Sequence, residues 1–149
     1  MRRLLLACAL VALSWGLPGP AAAQMVVLTV SLATDGSGDQ TVYTRPTFGR
    51  VVAVRYVPDA TDPMDSTSDL TITDDATGLQ LLTITNVGVS ARDFLPRSYT
   101  VSSTGVNALY AAAGESVMDL SPVAGAIKVV VAQGGASNEG QLFIYVEGR

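Results

Sequence analysis

The chain reads as an all-β protein: a single antiparallel β-sandwich or jelly-roll-like domain behind a short N-terminal signal-like segment. Three observations carry that reading. Short runs rich in Val, Ile, Leu and Thr recur at intervals of about ten residues, separated by Gly, Pro, Asp and Ser clusters, as strands and turns do in all-β folds. No stretch of useful length repeats its apolar residues at the period of an amphipathic helix. With 149 residues, 48% hydrophobic and 15% charged, the chain is too apolar for a disordered segment and of a size for one core.

The elements can be justified in order. Met1-Arg2-Arg3 is basic, Leu4 to Leu17 is apolar, and Pro18-Gly19-Pro20 leads into Ala21-Ala22-Ala23, a small-residue site that signal peptidase cuts. Residues 1–23 are therefore expected to be a cleaved secretory signal, and residues 24–149 a single β-sandwich domain. The apolar stretch is short and broken by Gly16 and Pro18, so no permanent membrane anchor is expected. Leu5-Leu6-Ala7-Cys8 resembles a lipobox but leaves almost no apolar region before the cysteine, which argues against lipidation. Cleavage also removes Arg2, Arg3, Cys8 and Trp15, leaving seven Lys+Arg against 13 Asp+Glu, a net charge of −6, and no Cys, His or Trp. Without cysteine the domain has no disulfide, and its stability must come from packing and sheet hydrogen bonds.

Within the domain, Met25 to Leu32 opens the series of strands, Thr41 to Tyr43 follows the Gly36-Ser37-Gly38 turn, and Arg50 to Val57 is a long β-branched run. Ser68 to Thr73 and Leu79 to Thr85 flank Asp74-Asp75-Ala76-Thr77-Gly78 and read as a hairpin. Tyr99 to Ser103 and Ala108 to Tyr110 are shorter candidates. Ala111-Ala112-Ala113-Gly114 tempts a helical turn, but no helix is assigned there. Ala126 to Ala132 and Gln141 to Val146 read as a second hairpin, joined by a long exposed turn from Gln133 to Gly140. Strand alternation puts Ile127, Val129 and Val131 on one core-facing side, with Leu142, Ile144 and Val146 on the matching side of the partner. Phe143 and Tyr145 point the other way, as an aromatic contact patch for another subunit or ligand, or as side chains covered by a loop.

The search for chemistry returns mostly exclusions. A mature domain without His or Cys holds no Ser-His-Asp or Cys-His nucleophile and no zinc or copper site of the usual nitrogen and sulfur type. Its glycine-rich segments are not followed by helices, so no nucleotide-binding loop is present. An acidic chain without a basic cluster is unsuited to nucleic acid. A carboxylate-pair hydrolase stands as a distant third reading, since sequence spacing cannot show the facing acids it needs. The expected protein is not an enzyme and has no obligatory cofactor.

Calcium is the one ion the sequence suggests. Asp59, Asp62, Asp65 and Asp69 place four carboxylates in eleven positions with no Lys or Arg among them. Hard oxygen ligands on a flexible loop suit calcium, and clustered aspartates repel unless neutralised. The spacing departs from an EF-hand, and the plainer reading is a solvated loop in which Asp and Ser make local turns. Asp35-Gly36-Ser37-Gly38-Asp39 is read as a turn alone.

Several strings together resemble a known family. Gly49-Arg50-Val51-Val52-Ala53-Val54-Arg55-Tyr56-Val57-Pro58-Asp59 and Ser68-Asp69-Leu70-Thr71-Ile72-Thr73 are similar to small proteins encoded among tailed-phage and prophage structural genes. Leu95-Pro96-Arg97, Ala108 to Gly114, Asp119-Leu120-Ser121-Pro122-Val123 and Ile127 to Gly135 continue the likeness in the same order. None is a catalytic motif. The resemblance implies a virion component without saying which; a capsid-decoration or other accessory role is inferred for it, with virion proteins or copies of itself as partners. Such proteins assemble without export, so the signal-like segment leaves two alternatives. If Met25 is the true start, the protein belongs to the virion; if the signal is used, it is a secreted or periplasmic binding or adhesion module presenting loops such as Thr61 to Asp69 or Gln133 to Gly140.

Overall fold

The computed structural model describes residues 24–101, 104–109 and 114–148. The expected signal segment and its Cys8 lie outside the described residues. So do Ser102, Ser103, Tyr110 and the Ala111–Ala113 run.

The described residues contain ten strands and no helix: β1 (Gln24–Ala33), β2 (Gln40–Tyr43), β3 (Thr47–Pro58), β4 (Asp69–Asp74), β5 (Gln80–Ile84), β6 (Arg92–Phe94), β7 (Arg97–Tyr99), β8 (Met118–Gly125), β9 (Ile127–Ala132) and β10 (Glu139–Gly148). All pairings between these strands are antiparallel. One six-stranded sheet runs β1-β10-β3-β8-β7, with β6 against the far end of β3, and a four-stranded sheet runs β2-β9-β4-β5. The all-β sandwich expected from the alternating runs is the fold.

Alternation builds the core. Leu28, Val30 and Leu32 of β1, Leu142, Ile144 and Val146 of β10, and Val51, Val54 and Tyr56 of β3 are buried on the inner face of the larger sheet. Leu70 and Ile72 of β4, with Ile127, Val129 and Val131 of β9, face them from the smaller sheet and join the same apolar cluster. Fully burying one such side chain contributes about 1.5–3 kcal/mol.

Two departures from the sequence reading are instructive. The β4–β5 hairpin is present, with Leu70 opposite Ile84 and Ile72 opposite Leu82. The second expected hairpin is not: β9 pairs with β2 and β4, β10 pairs with β1 and β3, and the two lie in opposite sheets. Their apolar faces were read correctly, yet they meet across the core instead of side by side. Alternation reports which residues face inward and is silent on which strand lies alongside.

The second departure is β8, absent from the sequence reading because Ser121, Pro122 and Gly125 interrupt its apolar run. It pairs with β3 from Thr47↔Gly125 to Val51↔Ser121, while β7 reaches only Met118 to Leu120. Beyond Leu120 one side of β8 pairs with no described strand, the setting in which a sheet accommodates proline. At Gly49, a Cβ would collide with the carbonyl oxygen of Glu147, so the close passage of β3 and β10 near their bulge requires glycine.

Val129 is fully buried at the centre of the smaller sheet, between Val42 of β2 and Ile72 of β4. Val129→Asp buries an unpaired carboxylate at a cost of several kcal/mol, on the order of the stability of a small domain. The expected outcome is loss of the β-sheet circular dichroism signal and of cooperative unfolding; a soluble, cooperatively folded variant would contradict this placement.

Candidate functional site

The loops cluster at one end of the sandwich, where the segment after β1, the segment after β3 and the β9–β10 crossover meet. The crossover was expected to be a long exposed turn, but it is locked in place. Gly134 is buried, and its N–H donates to the Gly38 carbonyl at 2.7 Å while its own carbonyl accepts from the Asp65 N–H at 3.0 Å. A Cβ at Gly134 would overlap the Thr34 methyl and press on the Met64 sulfur. Gln133, Gly135 and Ser137 all adopt positive φ, at 58°, 83° and 61°, which curls the crossover back over the core.

Thr34 is the clasp. Its hydroxyl donates to the Gly135 carbonyl at 2.5 Å and accepts from the Asn138 N–H at 3.0 Å, and its own N–H donates to the Asn138 carbonyl. Met64, 1% exposed, plugs the space beneath, and the buried Ser68 hydroxyl donates to the Asp65 carbonyl at 2.6 Å. No signal in the sequence marks Thr34, because its partners lie about a hundred positions away in the chain.

The four aspartates singled out for calcium are each drawn into hydrogen bonds. Asp59 accepts from the Thr61 and Asp62 N–H groups, at 2.8 and 3.2 Å, and these amides hold its carboxyl below the ordinary aspartate value. Asp65 accepts from the Asn138 side-chain amide at 3.3 Å, and Asp69 accepts from the Asn86 N–H at 3.1 Å. Asp62 contributes its backbone carbonyl to Glu139. Among the described residues, no group of three or more His, Cys, Asp or Glu side chains is arranged to hold a metal ion. Asp35 closes its own turn, accepting from the Ser37 and Asp39 amides; those bonds, Asp39 first, lower its carboxyl.

Of the shallow grooves with carboxylates in their lining, two bear on the hydrolase reading. One, of about 500 Å³, runs along Ser31, Ala33, Val57, Asp59, Glu139 and Gln141. Asp59 is held there as an anion, the opposite of the raised carboxyl a general acid needs. The other lies at the far end of the sandwich beside Asp74 and Leu79. Asp74 is 1% exposed and was read from the sequence only as part of a turn. One of its oxygens accepts from the Thr77 hydroxyl at 2.6 Å; the other is buried without a hydrogen-bond partner and is not open to the groove.

Phe143 and Tyr145 lie half-buried on the outward face of the larger sheet, Phe143 between Thr29 and Arg55, and Tyr145 between Val27 and Ala53. Met25 and Val27, both exposed, extend this face to the β1 edge. A larger apolar display lies on the β7–β8 arm, which sequence reasoning did not single out. Tyr99 and Met118 are cross-strand partners at its base, and isolated bridges join Val101 to Asn107 and Leu109 to Ser116 farther out. Val101, Val106 and Leu109 are 57%, 65% and 45% exposed, while Tyr99 and Met118 are also open to solvent.

No family model and no curated protein matches the chain. Among solved structures it is similar to FLHE at 8% identity and a TM-score of 0.41, over 85% of this chain and all of that one. A likeness that loose supports no conclusion about fold or function.

Two outcomes follow from this geometry. Thr34→Val leaves the Gly135 carbonyl and the Asn138 N–H without their partner, and is expected to lower unfolding free energy by about 1–3 kcal/mol in a urea titration. Millimolar calcium is expected to leave the melting temperature unchanged in both the wild type and the Asp62→Asn/Asp65→Asn variant. A calcium-dependent rise lost in that variant would support the metal reading.

Proposed function

We propose that the protein is a non-enzymatic structural or binding module that works by surface association, a virion accessory of the capsid-decoration kind. The observation that carries this reading is the β7–β8 arm. Soluble monomers rarely expose large contiguous apolar patches, and such patches mark interaction sites. On this arm Tyr99, Val101, Val106, Leu109 and Met118 fall within twenty residues and are all exposed. A rigid sandwich presenting an apolar arm suits association with a larger assembly. The resemblance of its strand sequences to phage structural proteins supports the virion as that assembly.

A second reading is favoured by the basic, apolar and small-residue order of residues 1–23, which suits an exported binding or adhesion module. The two readings share the arm and differ in compartment.

Val106→Asp/Leu109→Asp is expected to keep the melting temperature, since both side chains are exposed, and to abolish co-sedimentation with phage particles induced from the source cells. N-terminal sequencing of the same fractions separates the readings. A chain starting at or near Met25 in the particle fraction supports the virion, and a chain starting at Gln24 in periplasm or medium supports export. Retention of the double variant on particles would overturn the role of the arm.

A further inference from the structure

Sheet edges are templates for pairing, and folded proteins protect them with short strands, charges, proline or bulges. Most edges here follow that rule. β2, β5 and β7 are four, five and three residues long, and β7 begins with Arg97. β1 does not. It is ten residues long, Gln-Met-Val-Val-Leu-Thr-Val-Ser-Leu-Ala, with no charge, proline or glycine. Its pairing with β10 runs from Gln24↔Gly148 to Ala33↔Glu139 without a register shift, so no bulge twists it away.

The hydrogen bonds show which backbone groups are open. The Thr34 N–H turns toward the β10 side and donates to the Asn138 carbonyl, whereas the Ala33 N–H turns outward and donates to the Gln40 side chain at 2.8 Å. In an antiparallel pair, residues alternate between facing the partner and facing away. The N–H and C=O groups of Met25, Val27, Thr29 and Ser31 therefore face an edge that no other described strand pairs with, while Gln40 caps it at Ala33. The open segment is centred on Leu28.

We propose that β1 pairs antiparallel with β1 of a second copy about a twofold axis at Leu28, joining the two six-stranded sheets into one. In that register Val27 lies opposite Thr29 of the partner subunit, and Met25 lies opposite Ser31 of the partner subunit. All four open backbone positions on each strand are then used. The inner residues match as well: Leu28 meets its own copy and Val26 meets Val30 of the partner subunit, so the apolar inner face continues across the axis and the outward face stays outward. The chain as a whole carries a net charge of −4, yet this strand carries none, so two copies approach along it without opposing like charges. Self-complementary patterning about the centre of the open segment is what selects a second copy as occupant. The inference goes beyond the proposed function and holds in either compartment.

The test is analytical ultracentrifugation of the protein expressed from its full reading frame, combined with hydrogen exchange at high and low protein concentration. The wild type is expected to sediment at twice the monomer mass at high concentration, with the Val27 and Thr29 amides protected there and exposed on dilution. Val27→Lys places a charge on an exposed side chain, and Thr29→Pro removes an outward N–H that β10 does not use. Both are expected to sediment as monomers with unchanged circular dichroism, so one serves if the other misfolds. A monomeric wild type at high concentration overturns the proposal. So does a dimer in which these amides exchange freely, or protection of them in the monomer. Loss of particle association in the arm variant with the dimer intact would separate the two surfaces.

Discussion

The apolar contact between the inner faces of the two sheets is the interaction on which everything else in this domain depends. The domain has no disulfide to staple it, and the described residues contain no helix to cover either sheet. Tyr56, Leu142, Ile144 and Val146 of one sheet and Ile72, Ile127 and Val129 of the other are all fully buried. Among the described residues, the apolar side of each sheet is covered chiefly by the other, with Met64 and Val87 of the loops closing the ends. The connections enforce that dependence, since β1–β2, β2–β3, β3–β4, β5–β6, β8–β9 and β9–β10 each pass from one sheet to the other. A chain that changes layer this often closes its core only when distant segments have come together, so the loops at the end of the sandwich become part of the fold.

That is why the β9–β10 crossover is ordered around buried atoms. It has to leave β9 in one layer and enter β10 in the other, and on the way it passes over Met64 and against Gly38. Its glycines serve close approach as well as turning. Thr34 ties the crossover to the end of β1, and Asp65 and Ser68 tie it to the loop before β4. The acidic loop, whose composition suggested a metal, uses its carboxylates and backbone to organise these turns. Outside these loop contacts, the described residues leave apolar side chains exposed on the β7–β8 arm and along β1, with Phe143 and Tyr145 half-buried on the outward face between β1 and β3.

Particular elements show how much was legible beforehand. The β4–β5 hairpin was readable because its partners are local and a turn of Asp, Thr and Gly stands between two alternating runs. The inward faces of β9 and β10 were readable because period-two alternation survives in both. Their pairing was misread because two adjacent runs with matching alternation look the same whether they lie side by side or across a core. β8 was missed because Pro122 interrupts a strand only when both its edges are paired, and edge occupancy is not a local property. The arm's short runs, Tyr99 to Ser103 and Ala108 to Tyr110, were read as strand candidates, but their exposure was not legible, because the apolar residues are few per window and burial depends on the rest of the fold.

The sequence by itself determined the class of fold, all-β, and which alternate residues of its main strands face inward, because side-chain alternation and turn chemistry are local consequences of covalent geometry. Tertiary structure alone decided which strands are neighbours, which loop residues become buried and which edge stays open. Those depend on contacts between segments as far apart as Thr34 and Asn138, and the free energy of such contacts belongs to the pair and is written in neither residue.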